Sequence, residues 1–123
     1  MDFLTKQSSL VLGVTRIVAG LLFLEHGSQK LLGFPPGMSP HMFSLFWCAG
    51  VIELVAGALI TLGLFTRCAA FIASGEMAFA YFLTHFPKAF FPAQNGGDAA
   101  ILFCFFFLYL AAAGPGAMAV NRK

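Results

Sequence analysis

The sequence predicts an all-α integral membrane protein, a bundle of four helices that each cross the bilayer. Three observations carry this reading. The chain of 123 residues is 59% hydrophobic and only 10% charged, whereas an ordinary soluble domain carries about 25% charged residues. Its mean hydropathy is +0.86, and a soluble chain of this size has too little interior to keep so much apolar surface from water. The apolar residues also fall into four runs, set apart by short breaks rich in Gly and Pro or by a tight turn.

A membrane-spanning helix needs about 20 mostly apolar residues. The first run covers residues 8–32. It reads as a retained span and not as a cleaved leader, because Arg16 interrupts the apolar stretch and no small-residue cleavage site follows promptly. Gly33-Phe34-Pro35-Pro36-Gly37-Met38-Ser39-Pro40 then breaks the helix, since proline lacks a donor and glycine frees the backbone. The second run covers 41–64, and the short Thr66-Arg67 connection makes the third, 67–86, its antiparallel neighbour. A second broken loop runs from Phe86 to Gly97, after which Asp98 offers an N-cap for the fourth run, 99–113. The whole of 1–123 reads as one four-span domain.

Four crossings put both termini and the Thr66-Arg67 turn on one side, with Lys6, Arg67, Arg122 and Lys123. The other side holds Lys30 and Lys88. The positive-inside rule places both termini in the cytoplasm of a bacterial-type inner membrane. His26, His41 and His85 all belong to the outer half.

Composition excludes some functions. A net charge of +2 without a basic stripe gives no footprint for nucleic acid. Three cysteines without CxxC spacing fit neither a disulfide scaffold nor the usual zinc patterns, so no metal site is read from them. Cys48 and Cys104 lie at similar depth and read as small apolar packing residues; Cys68 starts the third run on the inner side.

The informative residues are the ionisable ones inside apolar runs. A charge at mid-bilayer depth costs roughly 2.5–3.5 kcal/mol on insertion scales and normally faces protein or water. Gly13, Gly20 and Gly27 recur every seven residues, with Arg16 in the same stripe. Gly50 and Gly57 flank Glu53, and Ala69, Ala73 and Ala80 flank Glu76. Small residues mark the surfaces where membrane helices approach closely, so Arg16, Glu53 and Glu76 are expected to form an interior charge cluster. It reads either as a structural clamp or as a proton or redox-ligand site. The glycine stripe also makes a homodimer plausible. Glu25 lies about 180° from Arg16 on a straight helix and faces water, the fourth helix or a partner; Lys30 returns to the Arg16 face and is expected to snorkel to the boundary. Glu25, His26, Gln29, Lys30, His85 and Asp98 form the candidate ligand-binding set. A haem or metal on His26 and His85 is a reading their spacing allows without diagnosing. The sixteen Phe read mostly as lipid-facing bulk, and those at 103–107 carry no site information.

At these residues the chain resembles the DoxX family of small membrane proteins. The resemblance rests on Arg16 with His26-Gly27-x-Gln29-Lys30-Leu31-x-Gly33-Phe34, then Glu53-x-x-x-Gly57 through Gly63-Leu64-x-Thr66-Arg67-x-Ala69-Ala70. It continues in Gly75-Glu76-Met77-Ala78-x-Ala80-Tyr81-Phe82, Asn95-Gly96-Gly97-Asp98 and Gly114-Pro115-Gly116. Two places depart from the family pattern: Asp98 stands where Glu is usual, and Ala119-Val120-Asn121 replaces a Ser-x-Asp ending. The resemblance implies a four-helix inner-membrane protein. It also implies kinship with membrane subunits of quinone-linked sulfur oxidoreductases and with proteins of oxidative-stress complexes or detoxification operons.

The leading functional expectation is a membrane subunit supporting redox chemistry. It would bind a quinone or other lipophilic ligand in the outer half near His26, Lys30 and Glu53, with a redox partner subunit bringing the catalytic centre. The alternatives are a non-catalytic scaffold clamped by its charges, and a small transporter or proton path working as an oligomer.

Overall fold

In a computed structural model of the protein, the described residues are 1–37 and 40–121. Met38 and Ser39 of the first break, and Arg122 and Lys123 of the charge count above, lie outside them. The helices are α1 (Asp2–Lys6), α2 (Ser8–Leu32), α3 (Leu45–Leu62), α4 (Thr66–Ala80), α5 (Pro92–Asn95) and α6 (Asp98–Ala113). Beyond α4 the chain keeps turning through a wide π-type turn, Tyr81–His85, and a 3-10 turn, Phe86–Lys88. No strand occurs among the described residues.

Local chemistry sets the helix ends. Helix α2 has the predicted bounds and stops at Gly33, which takes the left-handed conformation (φ 70°) that ends helices without a Cβ penalty. Helix α3 starts four residues later than expected, because the Ser44 side chain caps it by accepting from the Trp47 N–H at 3.2 Å. His41, Met42 and Phe43 therefore stay outside the helix. Asp98 does not cap α6: Gly97 holds that position, and Asp98 lies in the first turn, where a carboxylate meets the positive end of the helix dipole.

Helix α2 packs along α3, α4 along α6, and α3 against α4. The α2–α3 seam is made by glycine. A Cβ on Gly20 would come 2.5 Å from the Thr61 hydroxyl, one on Gly57 would come 2.7 Å from the Leu24 nitrogen, and one on Gly27 would come 2.4 Å from the Leu54 nitrogen. Gly13 instead lies under the C-terminal tail, with Ala117 O 2.4 Å from its would-be Cβ. The seven-residue stripe that suggested a homodimer is thus buried within the chain and presents no face to a second copy. Gly27→Ala is expected to lower stability by about 1–3 kcal/mol, since backbone would have to move to admit the methyl. Thermal unfolding in detergent checks it, with Gly75→Ala as the control, because nothing lies within 4 Å of a Cβ there.

Helices α6 and α2 are joined mainly through aromatic side chains. Phe23 and Phe107, 1% and 0% exposed, meet at 5.0 Å between ring centroids, and Phe103 stacks on Phe107 at 5.5 Å. Phe107 is therefore core, a correction to the reading of 103–107 as featureless bulk. Phe71, Phe79, Phe82 and Phe105 do point outward, as a lipid-facing coat requires. Helices α2 and α3 are long and apolar enough to cross a bilayer, and α6 is a shorter apolar helix.

Candidate functional site

The structure brings Lys30, Glu53 and Glu76 together, from α2, α3 and α4. The Lys30 ammonium donates to both Glu53 carboxylate oxygens at 2.7 Å, with the two side chains 12% and 1% exposed. Gly50 makes room for this, since a Cβ there would sit 2.8 Å from Lys30 Cβ. Lys30 thus bends inward to Glu53 and does not snorkel. The Glu76 carboxyl lies beside that of Glu53, and its Oε1 is buried with no hydrogen-bond partner. A hydrogen bond between two carboxyl groups requires one proton between them. A pair sharing one proton would carry one negative charge, which the ammonium would balance. The arrangement can hold a proton and present a second carboxyl oxygen to a visitor.

Arg16 does not join this cluster. It lies fourteen residues before Lys30 on the same helix, about 21 Å along the axis, and is fully buried at the opposite end of the molecule. Its Nη1 donates to Pro115 O at 2.7 Å and Ala117 O at 3.0 Å; its Nη2 donates to Met118 O at 2.9 Å and Thr61 O at 3.5 Å. The tail is held further by backbone bonds from Ala117 N to Ser9 O, Val120 N to Leu62 O and Asn121 N to Gly63 O. The Asn121 side chain accepts from the Phe65 N–H at 3.3 Å, which ties the tail to the residue just before α4. The expected triad therefore divides in two: a carboxyl pair with a lysine at the loop end, and an arginine that straps the tail at the other.

The remaining candidates are placed as follows. His26 is exposed; its Nδ1 is 2.7 Å from Leu22 O and its ring meets Phe103 edge-on. Gln29 donates to Pro36 O at 3.1 Å and Ser28 to Phe34 O at 2.6 Å, which ties the first loop to α2. Glu25 and Asp98 are exposed. His85 is held by Asn95 O at 3.1 Å beside the Tyr81 ring, so the two histidines have different neighbours. Among the described residues no group of three His, Cys, Asp or Glu is arranged to hold a metal ion. Cys48 is exposed, while Cys104 Sγ lies 3.5 Å from the Ser74 hydroxyl, which donates to Cys104 O at 2.7 Å.

One residue that the sequence reading passed over organises the second loop. Asn95, 3% exposed, donates to Tyr81 Oη at 3.1 Å and Ala89 O at 3.0 Å, and accepts from Gly97 N at 2.8 Å. Gly97 must lack a Cβ because one would meet the Tyr81 ring at 2.6 Å. The signal was present in the Asn95-Gly96-Gly97 motif, but it counted there only as a family marker. Asn95→Ala strands three polar groups and is expected to cost about 1–3 kcal/mol. Hydrogen exchange across residues 86–97 should rise while α2 and α3 stay protected.

Fold and site together define a class: a small helical membrane protein with a charged site inside. The DoxX family model matches residues 11–86, the stretch that carries Arg16, Lys30, Glu53 and Glu76. A protein of Haemophilus influenzae, described as uncharacterised, is 43% identical over 130 residues, covering 100% of this chain and 97% of its own. A protein of Mycobacterium tuberculosis, described as an uncharacterised membrane protein, is 28% identical over 127 residues, 88% of this chain and 77% of its own. No solved structure matches the chain. The chain belongs to the DoxX family.

Proposed function

We propose that this DoxX protein is a four-span inner-membrane subunit, both termini cytoplasmic, that supports redox chemistry by binding a quinone or similar lipophilic ligand beside Glu53 and Glu76. The buried, undonated Oε1 of Glu76 carries the reading, because it offers an unpartnered carboxyl oxygen beside a second carboxyl group. An apolar groove of about 300 Å³ supports it, lined by Val51, Ile52, Val55 and Ala56 of α3 and by Ala69 and Ile72 of α4. Ala56 and Ile72 each lie one helical turn from the carboxyl pair, so a ligand tail in the groove brings its head toward the pair. A quinone accepts two electrons and two protons to become a quinol; a redox partner subunit would supply the electrons, the carboxyl pair one proton to a quinone oxygen that gains charge, and water the second proton and the one that recharges the pair. Lys30 keeps the pair balanced. The four-span reading has its support in the outward-facing Phe and Leu side chains and in the gathering of Lys6 and Arg67 at the tail end.

Titration of the purified protein with ubiquinone and menaquinone analogues tests the reading. A rise in thermal midpoint is expected with at least one of them, and Glu76→Gln should abolish it while the variant stays folded. No response to any analogue overturns it. The second reading, a scaffold without ligand, is favoured by the Arg16–tail strap, which is structural in its every contact. Arg16→Gln and Glu53→Gln that lower folding without a specific redox defect in the assembled complex would support the scaffold instead.

A further inference from the structure

We propose that the cleft between α2 and α6 at the tail end binds the phosphodiester headgroup of an anionic phospholipid. The cleft has a volume of about 400 Å³ and is lined by Ser8, Ser9 and Leu12 of α2, Arg67 of α4, and Tyr109 and Ala113 of α6. The Phe23–Phe103–Phe107 cluster fills the space between α2 and α6 further along the two helices. What is left at this end is a lateral opening, whose walls mix polar groups with apolar ones.

Arg67 is the centre of the site. Its Nη1 donates to Ala112 O at 2.6 Å and Ala111 O at 3.2 Å, which fixes the guanidinium at the end of α6. Among the described residues Nη2 and Nε have no acceptor, no carboxylate pairs with the charge, and the hydroxyls of Ser8, Ser9 and Tyr109 have no partner. A guanidinium edge with two or three hydroxyls beside it matches the tetrahedral monoanion of a phosphodiester, whose two unbridged oxygens take paired N–H donors. The apolar flanks say why the phosphate belongs to a lipid. Leu102, Phe105 and Leu108 of α6, with Val11 and Val14 of α2, are exposed along the two helices that frame the cleft, where acyl chains would lie. Lys6, in the same end of the molecule, adds attraction for an anionic leaflet. The site is separate from the Glu53–Glu76 pair and rests on the four-span reading only for its depth in the bilayer.

Native mass spectrometry of the full chain, released from nanodiscs of mixed phosphatidylglycerol and phosphatidylcholine, tests the proposal. The wild type should retain phosphatidylglycerol about tenfold over phosphatidylcholine, the value of one charge-assisted contact. Arg67→Gln should remove the preference, and the double change Ser9→Ala, Tyr109→Phe, which leaves the Arg67 bonds to α6 intact, should weaken it several-fold. If Arg67→Gln does not fold, the double variant decides: an unchanged preference there overturns the site. Equal retention of the two lipids by the wild type also overturns it, and so does equal stabilisation by inorganic phosphate in phosphatidylcholine alone, which would make the ligand a soluble anion. A protein that resists carbonate extraction yet shows no preference fails this proposal alone, whereas one that leaves the membrane fails the four-span reading.

Discussion

Glu53→Ala is expected to be the most damaging single substitution at the loop end, costing about 3–5 kcal/mol, because it leaves the Lys30 ammonium in a dry interior without its carboxylate. In a protein of ordinary marginal stability that is a large share of the total. The Coulomb attraction of the pair is not the source of this figure; the desolvation of the stranded partner is. Lys30→Met combined with Glu53→Leu should therefore recover much of the loss, since replacing both ions with apolar groups of similar volume is often neutral or better. Glu53→Gln should fall between, as an amide can still accept from Lys30 but cannot neutralise it. Thermal unfolding of the three variants in one detergent gives the ordering. A double variant as weak as Glu53→Ala would mean that the pair does more than satisfy itself.

Arg16→Met should be comparably severe, by about 3–5 kcal/mol, for a different reason. Here the groups left behind are the carbonyls of Pro115, Ala117 and Met118, which have the guanidinium as their donor. Arg16→Lys should rescue only in part, because one ammonium cannot reproduce a planar fork that reaches three carbonyls on two sides. The readout that separates this from general destabilisation is cleavage by carboxypeptidase. The tail from residue 114 onward should become accessible at temperatures where the helices remain intact.

How far these features were legible in the sequence depended on whether a rule of register applied. Helix type, the bounds of α2 and the level pairing of Glu53 with Glu76 follow from apolar length and from the short turn after Gly63, which fixes two antiparallel helices at one offset. The partner of Glu53 was missed because Arg16 shared its stripe with the glycines and drew the pairing by face alone. Depth decides otherwise. The close approaches of Gly20 to Thr61, Leu24 to Gly57 and Gly27 to Leu54 step along one register, which sets Glu53 beside the last turn of α2 and leaves Arg16 opposite residues beyond the end of α3. The offset across a loop as long as that between α2 and α3 cannot be read from composition. Arg16's partners were hidden more deeply still, because they are backbone carbonyls and carry no side-chain signature. Asp98 was misplaced by one position, where Gly97 takes the cap because the Tyr81 ring leaves no space for a side chain.

The strap across Arg16 has a consequence for biosynthesis. Its first acceptor in the tail, Pro115 O, is translated 99 residues after the arginine itself. When α2 leaves the ribosome, its guanidinium has none of the tail acceptors it will finally use and must stay hydrated or held by the insertion machinery until α6 has followed. The Arg16 side chain thus reaches its full set of partners only after α6 and the tail have been made.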